Sequence, residues 1–277
     1  MKYFLFALSL FLFVSCNSDD TTEVIDYSAE NEQQIQEYLE QHNLTATRTN
    51  SGLHYIITEQ GTGDQPTYNS DVSVRYKAYL LDGTEIDDSY DEIISFNLVN
   101  VISGFAEGIQ YFNEGGSGLL FIPAHLAYGS RGSGSVPPGA VVVFEVELVD
   151  YEVENEEEII AYLESEQITD AIRSDTGLYY IIDEEGQGEN PTSTSNVTVK
   201  YTAYFTDGEI FDQSGDEGVT FNLSQVIAGW QEGIQYFKEN GKGTLIIPSH
   251  LGYGIYDYNG IPGGSVLIFD IELLAIN

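Results

Sequence analysis

The chain has 277 residues, with nine Lys and Arg against 45 Asp and Glu, a formal net charge of −36. A field of that sign repels phosphate backbones and anionic head groups, which excludes nucleic acid as a partner. The single cysteine excludes an internal disulfide and a thiolate metal cluster, while 42% hydrophobic and 13% aromatic content supplies packed cores for one large or two ordinary domains.

Lys2 precedes an apolar run from Phe4 to Val14 that ends at Ser15-Cys16. The run is too short for a membrane-spanning helix, which takes about 20 apolar residues. It resembles a bacterial lipoprotein signal, with residues 1–15 as signal peptide and Cys16 as the lipidated N-terminus, although Phe13-Val14-Ser15 is a loose version of the usual Leu-led motif. Asn17-Ser18-Asp19-Asp20 looks like the surface-export signal of some Gram-negative lipoproteins and opens an acidic flexible tether over 16–28. The expected location is lipid-anchored on a bacterial membrane, the outer one by preference, on its periplasmic or cell-surface side.

Residues 30–42 place Ile35, Tyr38 and Leu39 at helical spacing. Strands are predicted at Leu53–Thr58, Val72–Leu81, Ile93–Leu98, Gly118–Ile122 and Ala140–Val149, each rich in β-branched and aromatic residues and bounded by Gly, Asp, Asn or Pro. Between the third and fourth, Phe105, Ile109 and Phe112 lie on one face of a short helix. A run of glutamates over 150–158, suited to a linker or a helix start, marks a boundary, and 155–166 repeats the leading helix with Ile159, Tyr162 and Leu163.

From there the pattern recurs. Tyr76 matches Tyr201, Asp87 matches Asp212, Pro123 matches Pro248 and Phe144 matches Phe269, all 125 residues apart, while Tyr38-Leu39 matches Tyr162-Leu163 at 124. A period this long exceeds solenoid repeats of about 20 to 50 residues, so it describes two complete domains, 29–150 and 151–277, each with a short N-terminal helix. Val197, Val199, Tyr201, Ala203 and Phe205 alternate with polar positions, as in an antiparallel sheet with one buried face. A sheet with one short helix across that face is an α+β arrangement.

The order Val199-Lys200-Tyr201, Asp207-Gly208, Phe211-Asp212, Phe221-Asn222-Leu223, Val226-Ile227-Ala228-Gly229-Trp230, Ile247-Pro248, Tyr253-Gly254, Ile261-Pro262 and Phe269-Asp270-Ile271-Glu272-Leu273-Leu274 resembles an FKBP-type peptidyl-prolyl cis/trans isomerase over 176–275. The first copy matches again over about 51–149. The resemblance implies two tandem FKBP-like domains, each a five- or six-stranded antiparallel sheet wrapped round a short helix, acting on prolyl peptide bonds without cofactor or metal. It gives Tyr201, Asp212, Trp230 and Tyr253 catalytic roles and places Phe211, Val226, Ile227, Ile261 and Phe269 against substrate. In the first copy the matching substrate positions are Tyr76, Ile86, Asp87, Val101, Ile102, Phe105, Tyr128, Val136 and Phe144.

Such residues suit the chemistry. Rotating a peptide bond breaks amide resonance, a barrier of about 18 to 20 kcal/mol, and needs no nucleophile. A dry aromatic pocket favours the less charge-separated twisted amide. Trp230 would form its floor, and the Ile227 N–H and Tyr253 hydroxyl would grip the flanking carbonyls. Asp212 would act on the twisting carbonyl or hold Tyr201. The first copy has Ile86 for an aromatic wall and Phe105 for the indole, so the second is expected to turn over faster.

Other signals are weaker. Asp212-x-Ser214-x-Asp216 opens like a calcium loop, but Glu217 stands where glycine is required and Leu223 where the closing glutamate belongs. His125 and His250 fit structural turns, Gly241-Lys242-Gly243-Thr244 lacks phosphate-loop spacing, and the glycines of 129–139 fit a flexible flap over the pocket rim. The leading expectation is a monomeric isomerase assisting the folding of exported proteins. The alternative is a tethered, chaperone-like module that binds unfolded or proline-containing segments with little turnover; an adhesin or scaffold has only the acidic residues after Cys16 in its favour.

Overall fold

The computed structural model of the chain describes residues 25–89 and 92–277. The signal peptide, Cys16 and most of the acidic tether lie outside the described residues. No described helix is long and apolar enough to cross a membrane.

Each half begins with an amphipathic helix, α1 (Ser28–Gln41) in the first. Seven strands follow: β1 (Thr47–Arg48), β2 (His54–Glu59), β3 (Asp71–Leu80), β4 (Glu85–Asp88), β5 (Ile94–Asn97), β6 (Ser117–Ile122) and β7 (Val142–Leu148), with α2 (Ser103–Ile109) between β5 and β6. The second half repeats this from α3 (Tyr151–Ser165) through β8 (Ile172–Arg173), β9 (Tyr179–Glu184), β10 (Asn196–Tyr204), β11 (Ile210–Gln213), β12 (Val219–Asn222), α4 (Ala228–Gly233), β13 (Lys242–Ile247) and β14 (Leu267–Ile276).

Each sheet is antiparallel, in the order β1-β2-β6-β7-β3-β4 and β8-β9-β13-β14-β10-β11, with β5 and β12 sharing the outer edge of the long strands β3 and β10. The sheets therefore have seven strands each rather than five or six. The additions are two-residue edge pairs, β1 and β8, and the acidic strands β4 and β11, whose ladder partners rather than their side chains define them.

The short helix lies on the sheet because its glycines let it. A Cβ on Gly229 would sit 2.5 Å from Ile247 and one on Gly233 2.6 Å from Leu245, both on β13. Trp230, Ile234 and Phe237 are buried in the core as their spacing predicts, but α4 ends at Gly233 and the chain continues as a 3-10 turn over Ile234–Tyr236.

No linker separates the halves. β7 ends at Leu148, and the Asp150 side chain accepts from Glu152 N–H at 3.0 Å and Val153 N–H at 3.3 Å, capping α3 four residues before the predicted start. Arg75 on β3 pairs with Glu154 on α3 at 3.1 Å, and the Tyr256 hydroxyl donates to Asp71 at 2.5 Å.

Candidate active site

The long strand carries the first site residue and its edge partner the second. β10 and β11 pair Ala203 with Asp212, and this register sets Asp212 beside Tyr201, whose hydroxyl donates to Asp212 Oδ2 at 2.7 Å. The same register on β3 and β4 gives Tyr76 to Asp87 Oδ2 at 2.6 Å. Burial first, then this bond and the carboxylate charge, push both tyrosines far above the ordinary phenol range. Each carboxylate also accepts from the next backbone N–H, Gln213 at 2.8 Å and Asp88 at 3.0 Å, so it is held from two sides.

The short helix delivers the floor. Trp230, 4% exposed, meets Tyr201, Phe221 and Phe269 edge-on at centroid distances of 5.2, 5.4 and 5.4 Å. Phe211 stands edge-on to Phe269 at 5.9 Å and leans on Phe205 at 4.8 Å. The indole Nε1 is buried with no acceptor. Ile227 is the N-cap of α4: its carbonyl accepts from Trp230 N–H and Gln231 N–H at 3.0 Å, while its own N–H meets no acceptor among the described residues. Val226 and Ile227 are half-buried against this cluster and Ile261 is buried in it.

Tyr253 arrives from the loop after β13. It is 37% exposed and stacks on Tyr258 at 4.8 Å. Burial, then Tyr258 and the nearby Asp212 charge, raise its hydroxyl above the ordinary range. The sequence-predicted residues of the second half thus converge on one face.

In the first half the equivalent residues line a cleft of about 410 Å³. Tyr76, Ile86, Asp87, Val101, Ile102, Phe105, Tyr128 and Phe144 all contribute to it. Val136 is packed in the adjoining core cluster, and the cleft is lined without it. Phe105, only 3% exposed, still forms part of the lining, so near-complete burial at this position is compatible with an open floor. Ala78, Ile94, Phe96 and Asn100 also line the cleft. The recurrence of Phe96 as Phe221 was the sequence signal for that ring; nothing local marked the others. Ser89 and Ser214 went unnoticed too: their Oγ atoms accept the Tyr76 and Tyr201 amides at 3.1 and 2.9 Å and pin each tyrosine.

Among the described residues no group of three or more His, Cys, Asp or Glu is placed to hold a metal. Asp212 is committed to Tyr201 and Gln213, and His125 and His250 contact the Ser51 and Thr176 carbonyls at 2.8 and 2.9 Å.

A tyrosine–carboxylate pair, an aromatic floor on a glycine-seated helix and a tyrosine on the following loop, all carried by an antiparallel sheet, define a class of apolar cleft built twice. The model of the family described as FKBP-type peptidyl-prolyl cis-trans isomerase matches residues 63–149 and 187–274, and the chain belongs to that family. Among its relatives, peptidyl-prolyl cis-trans isomerase FKBP9 of Mus musculus is 33% identical over 73% of this chain and 34% of its own length. FKBP-type peptidyl-prolyl cis-trans isomerase FkpA of Aeromonas hydrophila is 42% identical over 45% of this chain and 47% of its own. The matches thus span only about a third to a half of these relatives' length. The crystal structure of FkpA from Escherichia coli matches at 40% identity with a TM-score of 0.41, over 44% of this chain and 60% of that one.

Proposed function

We propose that the chain is a prolyl isomerase for exported proteins, with two domains spanning 29–150 and 151–277 and most turnover in the second. The carrying observation is the gathering of Tyr201, Asp212, Trp230 and Tyr253 round Phe269. Trp230 supports the proline ring, Phe211, Ile261 and Phe269 wall it, and the uncommitted Ile227 N–H and the Tyr253 hydroxyl hold the flanking carbonyls. Exclusion of water then favours the twisted amide over the planar one, with no covalent step. The short bond from Tyr201 to Asp212 favours a positioning role for the carboxylate. Attachment through Cys16, a periplasmic or surface location and a monomeric state complete the proposal; each rests on sequence.

The first half supports the second reading. Its roomier cleft, with Ile86 and Phe105 in place of Phe211 and Trp230, suits binding of apolar or prolyl segments with slow turnover.

The test is steady-state isomerisation of a proline peptide by the unaltered chain, Trp230→Ala and Asp212→Ala. Trp230→Ala is expected to lower kcat/KM at least thirtyfold, the scale of a buried aromatic anchor worth about 2 kcal/mol. Three rates equal to the uncatalysed one, with aggregation of an unfolded client still suppressed, would establish the binding module instead.

A further inference from the structure

Two asparagines sit where an amphipathic helix should bury apolar groups. Asn31 on α1 is 0% exposed and Asn155 on α3 is 1% exposed, each four residues before the buried Ile35 or Ile159. A buried amide persists only where its hydrogen bonds are made, and both asparagines make the same two.

The Asn155 Nδ2 donates to the Gly264 carbonyl at 2.8 Å, and its Oδ1 accepts from Ser249 N–H at 2.7 Å. Asn31 does the same to Gly139 and Ala124, both at 2.8 Å. Ser249 and Gly264 are the two ends of the loop that carries Tyr253 and Ile261. A third contact closes the seat: Gly264, at φ +80°, lies under the Tyr151 ring, where a Cβ would come within 2.5 Å of the phenol oxygen. Gly139, at φ +74°, meets Tyr27 in the same way. The leading helices lie outside the family-matched segments 63–149 and 187–274, yet each grips the loop of its own domain.

We infer that Asn155 is a positioning residue for the second site: by tying both ends of the loop 249–264 to α3, it sets where the Tyr253 hydroxyl meets substrate, as Asn31 does for Tyr128 in the first. Within the loop, Gly264 N–H donates to Gly254 O at 2.9 Å, and Tyr258 and Ile261 exchange two backbone bonds at 2.9 Å. The loop is thus braced internally and needs an outside anchor only at its base, which is where Asn155 acts. The inference rests on the reading of this face as a prolyl site.

Trp230, the only tryptophan in the chain, lets the full-length protein report on the second site alone. The probe is a short peptide with an apolar residue before proline, titrated against Trp230 fluorescence, with amide hydrogen exchange measured in parallel. Asn155→Leu is expected to weaken peptide binding about tenfold and to speed exchange across 249–264 while β14 stays protected. Asn31→Leu, the same lesion in the other domain, leaves the Trp230 titration unchanged. Asn155→Asp keeps the acceptor for Ser249 N–H and falls between, which also serves if the leucine variant folds poorly. Parental affinity in both Asn155 variants, or loop exchange no faster than in the parent, would overturn the proposal. A parent whose Trp230 emission ignores the peptide would instead overturn the prolyl-site reading, and the exchange arm would then decide the clamp by itself.

Discussion

The two halves share a frame and differ in how they fill it. Their tyrosine–carboxylate pairs are nearly superimposable in chemistry, 2.6 Å in one and 2.7 Å in the other, and each tyrosine amide is held by a serine. Around that constant, the second half adds bulk. Trp230 replaces Phe105 and Phe211 replaces Ile86, and Tyr258, which braces Tyr253 by stacking at 4.8 Å, falls where the first half has Ser133. Duplication has kept the polar geometry and varied the apolar volume, which separates orienting a peptide from desolvating it.

The comparison is broken most directly by exchanging that volume. Trp230→Phe with Phe211→Ile gives the second half the pocket of the first, and kcat/KM of the full chain should fall about tenfold, near 1.4 kcal/mol. Ile86→Phe with Phe105→Trp in that background should restore part of the loss. A full chain indifferent to either exchange would mean that floor and wall do not set the rate. A smaller effect separates the polar pairs. Tyr201→Phe removes one hydrogen bond to a carboxylate and should cost about fivefold in kcat/KM, whereas Tyr76→Phe should stay within about twofold. Equal losses from the two would show that both halves turn over at similar rates.

Much of this was legible before any coordinates. The offset of 125 pairs Tyr76 with Tyr201 and Asp87 with Asp212, and alternation along Val197, Val199 and Ala203 marks a strand whose buried positions are those three. What stayed hidden has physical reasons. β4 reads Glu-Ile-Asp-Asp, a pattern with no strand propensity, and exists because β3 supplies its ladder. β1 and β8 are too short to alternate. The glutamates after Asp150 suited linker and helix equally until the Asp150 cap was seen. Asn31 and Asn155 look like ordinary polar residues on helices, since their partners lie 108 and 109 residues away. Sequence periodicity reports which face is buried, and only tertiary structure reports that a polar group belongs there.

The smallest predicted effect comes from one further difference between the halves. Glu158 on α3 stands where α1 has Gln34, at the 124-residue offset of the leading segments. The Thr206 hydroxyl donates to Glu158 at 2.5 Å. Burial, followed by repulsion from Glu154 and Asp207, raises the Glu158 carboxyl above the ordinary glutamate range despite that bond. A carboxyl with a raised folded-state pKa binds its proton more tightly in the native chain than in the unfolded one. Below the unfolded value, about 4.3, both states are protonated and nothing is lost. As pH rises from there through the folded value, the unfolded chain ionises first and the native state loses stability. At pH 7 the full cost is present, so Glu158→Gln, which keeps an acceptor for Thr206, should raise Tm by on the order of 2 °C. The gain should shrink to nothing near pH 4. A gain independent of pH would assign the effect to packing, and a loss at pH 7 would show that the charged bond to Thr206 outweighs burial, making the second helix better docked for its glutamate than the first is for its glutamine.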